Sequence, residues 1–225
     1  MTVYPDENST TLARARGCLL GQLAGDALGS LVEFQSPEEI HRSYPAGVRK
    51  LADGGTWNTI AGQPTDDSEM ALLLARMLTE RGGYDPDAAL QTYQFWLDSD
   101  PFDCGMTIAT SLRGRPNPAS QANGAMMRIS PLGIFGANYP LETVCDWARQ
   151  DAALTHPNPV CLQANALFTM AIAHAPLHLA AKARSSTRIS NSGRSTWQST
   201  RRSWTPSMEL PKDHRLTTSN NRAGC

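Results

Sequence analysis

Apolar residues recur at helical spacing along most of the chain. Five segments place apolar side chains three or four positions apart, at residues 12–31, 65–81, 85–99, 141–154 and 159–175. Capping residues mark several helix ends, among them Ser36 and Glu39, which have capping-box spacing, and Gly82 after residue 81. No stretch alternates at period two over the length of a strand. We therefore predict an all-α fold for residues 12–180.

Glycine occupies every fourth position of the first segment, at Gly17, Gly21, Gly25 and Gly29. Glycine weakens an isolated helix, but along one face it lets another backbone or a ligand approach closely. The pattern predicts that this helix is central and buried.

Composition is typical of a globular protein. The 225 residues are 40% hydrophobic and 18% charged, which suits one domain with an appendage. The first residues are polar and acidic, so we expect no signal peptide. Polar residues interrupt the most apolar stretch, 164–181, so we expect no membrane span. Five cysteines without a Cys-x-x-Cys pair argue against structural zinc and a disulfide framework, and they fit a cytoplasmic protein.

The charge of the chain changes sharply after Ala181. Residues 1–181 hold 11 Lys and Arg against 19 Asp and Glu, whereas residues 182–225 hold 9 against 2. The second stretch has nine Ser, six Thr and no sustained apolar periodicity, so we predict a disordered or out-of-frame tail at 182–225. A basic tail could contact nucleic acid, but this one has no recognisable nucleic-acid motif, and we expect no such partner.

Thr65, Asp66 and Asp67 open the helix predicted over residues 65–81. Two adjacent carboxylates and a hydroxyl are hard oxygen donors, the type that magnesium and calcium take. The same residues also suit plain capping, because acidic side chains complement the dipole at a helix N-terminus, and Asp66 with Glu69 has capping-box spacing. The tripeptide alone leaves both interpretations open.

Two further acidic positions interrupt the predicted helices. Glu33 follows the glycine-rich helix among apolar neighbours, where it is either an acid–base group or a surface residue. Asp103 precedes Cys104 and Gly105 in a segment that is either a ligand-binding loop or a helix cap.

The segment from Asn123 to Arg128 begins with an Asn-Gly turn signal and lies ahead of a helix start. Its small residues could present backbone amides, and Arg128 a guanidinium, to a phosphate group. The alternative is a plain turn with a solvated arginine. His156 follows a helix end, where a lone histidine is usually structural.

Taken in order, these segments resemble the ADP-ribosylglycohydrolase family. Residues 17–29 are similar to its opening helix, Glu33 with Phe34 to its next acidic position, and residues 65–70 to its first metal motif. The segments 103–107, 123–128 and 154–157 fall where the family places substrate-contacting loops. The resemblance predicts an incomplete ADP-ribosylglycohydrolase-like helical domain at residues 12–181, followed by the tail at 182–225.

The resemblance implies a compact, orthogonal multi-helix hydrolase with two magnesium (or manganese) ions. It would release ADP-ribosyl groups from a modified protein side chain or from a small acceptor. Thr65, Asp66 and Asp67 would bind metal, and Asp67, Glu33 and Asp103 would be catalytic. The residues implied to contact substrate are Glu33, Gly105, Asn123, Gly124, Ala125, Met127, Arg128 and His156.

The chain departs from the family late in the sequence. The family completes its metal site with a second motif, Gly-Gly-Asp-Thr-Asp-Thr or similar. After Ala181 only Glu209 and Asp213 are acidic, and neither has such a context. We therefore expect a truncated or frameshifted form with weak metal binding and little activity. The alternative is a non-catalytic helical module that binds ADP-ribose or a partner protein.

Overall fold

The computed structural model describes residues 7–186, with side chains described within residues 11–175. In that part of the chain eight α-helices follow one another: α1 (Glu7–Gly29), α2 (Pro37–Ser43), α3 (Asp66–Arg81), α4 (Pro86–Asp98), α5 (Met106–Leu112), α6 (Ser130–Phe135), α7 (Leu141–Ala153) and α8 (Pro159–Ser186). A 3-10 helix, Gly136–Asn138, follows α6. Between residues 7 and 186 the backbone forms no strand beyond one isolated bridge between Gly54 and Thr59. The all-α prediction is confirmed.

Local sequence explains where several helices begin and end. Ser36 and Glu39 form the predicted capping box of α2, because Glu39 N donates to Ser36 Oγ and Ser36 N donates to a Glu39 carboxylate oxygen. Asp85 caps α4 by accepting from two backbone amides of its first turn. Helix α3 stops at Gly82, whose left-handed φ of 67° closes the helix as predicted.

The core lies where α3 and α4 meet α5, α6 and α7. Its buried side chains are Met70, Leu74, Met77, Leu78, Ala88, Ala89, Tyr93, Trp96, Ile108, Leu112, Ile129, Leu132 and Ala148. Burying one large apolar side chain stabilises a fold by about 1.5–3 kcal/mol. The buried residues of α3 recur at helical spacing, so their burial fixes the rotation of α3 about its axis. That rotation also fixes where the acidic first turn of α3 points.

Helix α1 differs from the prediction. Gly17, Gly21, Gly25 and Gly29 are all exposed, and a Cβ added at any of them would meet no atom within 4 Å. At about 100° per residue, Gly21 and Gly25 lie about 160° and Gly17 and Gly29 about 120° from Leu23, which is half-buried. The prediction of a centrally buried helix is therefore wrong for the glycine face, because the apolar stripe, not the glycine stripe, packs on α3, α6 and α8.

The last described helix is longer than predicted. The apolar pattern places its end near residue 175, just before Pro176, but α8 continues to Ser186. The residues after the proline are rich in Ala, Leu, Lys and Arg, which have high helix propensity. The rest of the predicted tail, from residue 187, lies outside the described residues. Among the described helices, none has both the length and the apolar character that a membrane span requires.

Candidate functional site

Asp26 of α1 caps α3 from a neighbouring helix. Its carboxylate accepts hydrogen bonds from Thr65 N at 3.0 Å, from Thr65 Oγ1 at 2.7 Å and from Ser68 N at 3.2 Å. The first amides of an α-helix have no partner within the helix, and Asp26 provides an acceptor for the start of α3. Asp26, an acidic residue of another helix, thus has the capping role that the sequence alone allowed Asp66 or Asp67 to have.

The carboxylates in the first turn of α3 are consequently not its caps. Thr65 is the N-cap residue and makes no capping hydrogen bond through its own side chain. Glu69 accepts from Trp96 Nε1 at 2.8 Å, so the Asp66–Glu69 capping box that the spacing allowed does not form. Thr65 and Asp66 are buried and Asp67 is half-buried.

We use the name carboxylate cluster for Asp66, Asp67 and Asp103. Asp26 and Glu33 lie close to it. Burial, followed by the charges of Asp66 and Asp26, raises the pKa of Asp67 to about 7. Burial, followed by the charges of Asp66 and Glu33, raises the pKa of Asp103 to about 7. The Asp103 and Asp66 side chains also share a hydrogen bond, and burial raises the pKa of Asp66 as well. The cluster therefore concentrates negative charge that a cation would relieve.

The segment before α5 brings Asp103 to α3. Gly105 is the N-cap residue of α5, and its backbone forms a hydrogen bond with the Asp66 side chain. Asp103 is buried, whereas Gly105 is exposed. This contact explains how two acidic positions that lie far apart in the sequence come to interact.

A loop at residues 53–59 holds Glu33. Trp57 Nε1 donates to Glu33 Oε2 at 2.9 Å, and Thr56 Oγ1 donates to the Glu33 carbonyl. Gly55 has a φ of 74°, and a Cβ there would lie 2.7 Å from the Ser30 carbonyl oxygen. Only glycine lets this loop lie so close to the end of α1, and the close approach presents Trp57 to Glu33.

Gln22 joins the start of α3 to the 123–128 segment. Its Nε2 donates to the Asp67 carbonyl at 3.1 Å and to the Met127 carbonyl at 2.9 Å, and its Oε1 accepts from Ser130 Oγ. Met127 is half-buried at this junction. The 123–128 segment, predicted to bind substrate, is thereby held beside the carboxylate cluster.

Arg128 lies inside the protein and not on its surface. Its Nε donates to Asp151 Oδ1 at 3.0 Å, and its Nη2 donates to the Asp151 carboxylate and carbonyl, each at 3.0 Å. Its Nη1 donates to the Gly124 carbonyl at 3.2 Å and to Thr155 Oγ1 at 2.9 Å. The guanidinium also lies 4.3 Å from the centre of the Tyr93 ring, and Tyr93 Oη donates to Asp151 Oδ2 at 2.8 Å.

Every nitrogen of the Arg128 guanidinium is thus directed at a protein acceptor. Burial acts to lower the pKa of Arg128, but the interactions with Asp151 and Tyr93 outweigh it, so the group stays charged. A diphosphate contact, as the resemblance implied, would require one of these bonds to break. The geometry instead makes Arg128 a positioning residue, which holds the Gly124 carbonyl and so the turn that contains it.

His156 lies beneath the same turn. It is buried, its Nδ1 lies 2.9 Å from Thr155 Oγ1, and its Nε2 has no hydrogen-bond partner among the described residues. Burial, followed by the charge of Arg128, lowers the pKa of His156 to about 4. A Cβ at Gly124 would lie 2.9 Å from His156 Cε1, so glycine is required where the turn crosses the imidazole ring. Asn123 is exposed and Ala125 fully buried, so of these two only Asn123 faces solvent.

The donor atoms of the carboxylate cluster suit a hard divalent cation. Carboxylate and hydroxyl oxygens are preferred ligands of Mg²⁺ and Mn²⁺. Within the described residues, however, no three His, Cys, Asp or Glu side chains are arranged to hold a metal ion. Mg²⁺ usually keeps several waters and takes one or two protein carboxylates. The donor set therefore fits a partly hydrated ion, although it does not enclose one.

Sequence reasoning missed three residues of this region: Gln22, Asp26 and Trp57. Gln22 and Asp26 stand four positions apart on one side of α1, where both are half-buried. Two polar residues at this spacing on an apolar face are a signal that the sequence did contain. Trp57 gave no comparable signal, because its partner Glu33 lies 24 positions away and the loop between them has no periodicity.

A surface cavity of about 400 Å³ lies elsewhere, between α3 and α4. Its lining includes Arg76, Gln91 and Phe95 and none of the predicted site residues. Arg76 pairs with Glu80 at 3.2 Å on the exposed surface. We place the site by its chemistry, at the carboxylate cluster, and not at this cavity.

The fold and the carboxylate cluster define an all-helical protein with an acidic site at a helix start. A family model described as ADP-ribosylglycohydrolase matches residues 7–218, and the chain belongs to that family. The resemblance that the ordered motifs indicated is confirmed. The matched range extends beyond Ala181, and the predicted domain boundaries at 12–181 and 182–225 stay predictions.

Relatives of known name support the same assignment. The chain is 35% identical to ADP-ribosyl-(dinitrogen reductase) glycohydrolase of Rhodospirillum rubrum over 157 residues, which are 65% of this chain and 52% of that protein. It is 30% identical to ADP-ribosylarginine hydrolase Tri1 of Pseudomonas putida (strain GB-1) over 151 residues, which are 60% of this chain and 38% of that protein. The chain thus spans about half, or less, of the length of these relatives.

A solved structure has the same fold. It is described as an ADP-ribosylglycohydrolase-related protein complex, and it matches with a TM-score of 0.61 at 29% sequence identity. The match covers 74% of this chain and 57% of the other.

Proposed function

We propose that this protein is a metal-dependent hydrolase that removes ADP-ribosyl groups from a modified protein side chain or another acceptor. The observation that carries the proposal is the carboxylate cluster, in which Asp26 caps α3 and Asp66 and Asp67 are not needed for that role. Membership of the ADP-ribosylglycohydrolase family supports the same class of reaction. The described cysteines form no disulfide, and we place the reaction in the cytoplasm.

Thr65, Asp66 and Asp67 would hold a magnesium or manganese ion. Such an ion, when bound, polarises substrate oxygens and neutralises charge that develops during bond cleavage. Thr65 Oγ1 uses its proton in the bond to Asp26, so its lone pairs remain available to a ligand. The complete family site is implied to hold two ions, and we expect weak binding here because the described residues supply part of one shell.

Glu33, Asp67 and Asp103 are our candidates for orienting water or substrate and for transferring protons. Glu33 is fixed by Trp57, so its carboxyl group is oriented before substrate arrives, and Asp103 is buried beside Asp66. Gly105, Asn123 and Met127 would form the wall against the ADP-ribosyl group, chiefly through their backbone, and the buried Gly124 and Ala125 would complete the turn behind it. Arg128 and His156 would support that wall from beneath.

Release of ADP-ribose tests the proposal. The full chain is incubated with an ADP-ribosylated protein, with Mg²⁺ or with a chelator, and free ADP-ribose is measured by mass spectrometry. We expect slow release that stops with chelator and with Asp67→Ala. Asp146→Ala, which removes an exposed carboxylate of α7, is the matched control and should leave release unchanged. Release that survives both chelator and Asp67→Ala would exclude the metal-dependent mechanism.

One observation favours a second function, a non-catalytic module that binds ADP-ribose or a partner protein. The described residues contain no three His, Cys, Asp or Glu side chains arranged around a metal position. Calorimetric titration with ADP-ribose separates the two functions. Binding without any release under the conditions above would favour the module.

A further inference from the structure

Three aromatic side chains form a row beside Glu33. The ring centres of Phe34 and Trp57 lie 6.3 Å apart at an interplanar angle of 77°, and those of Trp57 and Phe102 lie 6.1 Å apart at 65°. Both are edge-to-face contacts, so Trp57 connects the two phenylalanines. Phe34 is 81% exposed and Phe102 41% exposed, so these rings are part of the surface and not of the core.

The backbone turns sharply beside each ring of this row. Within residues 7–186, the non-glycine residues with positive φ are Phe34 at 60°, Asn58 at 50° and Asp100 at 57°. Phe34 is one of the three rings, Asn58 follows Trp57 directly, and Asp100 stands two positions before Phe102. Asn and Asp adopt a left-handed φ readily, but for a bulky residue such as Phe34 it is unfavourable, and such strain clusters at functional sites. Phe34 is thus held in a strained conformation although its exposed ring buries little surface.

The surroundings of the rings are acidic. Trp57 Nε1 donates to Glu33 Oε2 at 2.9 Å, and Asp103 of the carboxylate cluster follows Phe102 directly. The faces of aromatic rings attract cations, and the guanidinium of arginine both stacks on such faces and pairs with carboxylates. A neutral planar ligand such as adenine would stack on the rings but carries no positive charge to pair with the carboxylates.

We propose that Phe34, Trp57 and Phe102 form an aromatic clamp that binds an unmodified arginine of the substrate protein, close to its modified residue. The position of the aromatic clamp indicates which part of the substrate it meets. Asp66 and Asp103 are buried, whereas Phe34 is 81% exposed, so the clamp is open to a residue of the substrate protein that remains outside the carboxylate cluster. The inference rests on the proposed function for the identity of the partner, but recognition of the guanidinium does not require hydrolysis.

A peptide titration tests the aromatic clamp without ADP-ribose. The full chain is titrated with a capped Gly-Arg-Gly peptide while tryptophan fluorescence is recorded, and Gly-citrulline-Gly, which is neutral and nearly isosteric, is the ligand control. We expect millimolar binding of the arginine peptide and at least several-fold weaker binding of the citrulline peptide. The fluorescence change should be absent in Trp57→Phe, because that ring is the reporter. A change of the same size with ADP-ribose but none with the arginine peptide would overturn the proposal in favour of a nucleotide-stacking surface.

Single-ring variants localise the binding. Phe34→Ala and Phe102→Leu should each weaken binding of the arginine peptide about two- to fivefold, the range of an exposed cation–π contact. Phe102→Leu keeps the bulk of the side chain, and melting curves check that both variants fold. Phe95→Ala removes a phenylalanine of α4 that is 70% exposed and not part of the aromatic clamp, and it should not change binding. Equal binding by Phe34→Ala, Phe102→Leu and the unaltered chain would overturn the inference. Peptide binding without ADP-ribose release would leave the aromatic clamp standing while the hydrolase function fails.

Discussion

The carboxylate cluster and the Arg128–Asp151 ion pair are both largely buried, but their charges are arranged in opposite ways. Every nitrogen of Arg128 has a protein acceptor, and Asp151 also accepts from Tyr93. In the carboxylate cluster the charged neighbours of Asp67 and Asp103 are acidic, and they help burial to raise both pKa values to about 7. The ion pair is complete without a ligand, whereas the carboxylate cluster is not.

The difference teaches how to assign roles to buried charges in this fold. A charged group whose bonds all go to protein atoms supports the structure and is poorly placed to bind substrate. A buried carboxylate whose neighbours repel it reduces stability unless a ligand compensates, and such groups mark functional sites. The family resemblance implied that Arg128 contacts substrate, but its hydrogen bonds place it with the supporting groups.

Removing Arg128 should have the largest effect on stability. Arg128→Met leaves the Asp151 carboxylate buried without its cation, and we expect a loss of about 3–5 kcal/mol in the free energy of unfolding. Urea denaturation measures the loss. Arg76→Met is the matched control, because Arg76 forms an exposed pair with Glu80, and it should cost less than about 1 kcal/mol.

A double variant sharpens this test. Arg128→Met with Asp151→Leu removes both charges, so it should be more stable than Arg128→Met alone. If Arg128→Met cost no more than Arg76→Met, the ion pair would not be a structural element. The contrast with the carboxylate cluster would then disappear.

The fold was largely predictable because its information is local. The periodic apolar residues of α3 and α4 and the caps at Ser36, Gly82 and Asp85 specify helix positions within the segments themselves. The burial of α1 was not predictable in the same way. Its glycine stripe and its apolar stripe each suggested a packed face, and only tertiary contacts decide which of two stripes meets a neighbour.

His156 should produce the next largest effect, which depends on pH. Its pKa is lowered to about 4 in the folded protein from 6.5 in the unfolded chain, so the folded state favours the neutral ring. Its contribution is therefore fully present above pH 6.5 and is lost as the pH falls towards 4, by about 3 kcal/mol in total. Asp67 and Asp103, whose pKa values are raised, change stability in the opposite direction over part of this range.

Comparing the unaltered chain with a His156 variant separates the contribution of His156 to stability from the contributions of those carboxylates. Urea denaturation of the unaltered chain and of His156→Gln is compared between pH 7.5 and 4.5. The variant should lose less stability on acidification, because glutamine does not titrate and the other groups are shared. Parallel stability curves for the two proteins would show that the imidazole is not kept neutral by its surroundings.

The residue types of the candidate site were predictable from the sequence, but the contacts between those residues were less so. Thr65, Asp66 and Asp67 stood out as hard donors at a helix start, with capping as the alternative, and the structure assigns the capping of α3 to Asp26. That assignment needed the contact between α1 and α3, which no spacing within either segment reveals. The burial of Arg128 likewise depends on Asp151, 23 positions away.

Asp67→Asn should change stability in the opposite direction to Arg128→Met. In metal-free buffer at pH 8, removing one of several repelling carboxylates should stabilise the fold by on the order of 1–2 kcal/mol, a figure reduced to allow for the partial exposure of Asp67. Added Mg²⁺ should raise the melting temperature of the unaltered chain and should raise that of Asp67→Asn less. Asp146→Asn, at an exposed position, controls for the loss of a charge. A destabilised Asp67→Asn would mean that this carboxylate is a structural group like Asp151.

Trp57→Phe should have the smallest effect on stability and a clear effect on chemistry. The substitution keeps an aromatic ring but removes the Nε1 donor to Glu33 Oε2, and one partly exposed hydrogen bond contributes about 1 kcal/mol. If Glu33 acts in the reaction, its carboxylate loses its orientation, so kcat for ADP-ribose release should fall more than KM changes. Thr56→Val, which removes the hydroxyl that donates to the Glu33 carbonyl, is the control, because it alters the same loop and leaves the carboxylate bond in place. Equal effects of the two variants on kcat would mean that the loop supports the fold around Glu33 without orienting its carboxylate. If only Trp57→Phe lowers kcat, Glu33 belongs with the carboxylate cluster. Its carboxylate is then oriented for a ligand and does not serve mainly to stabilise the fold.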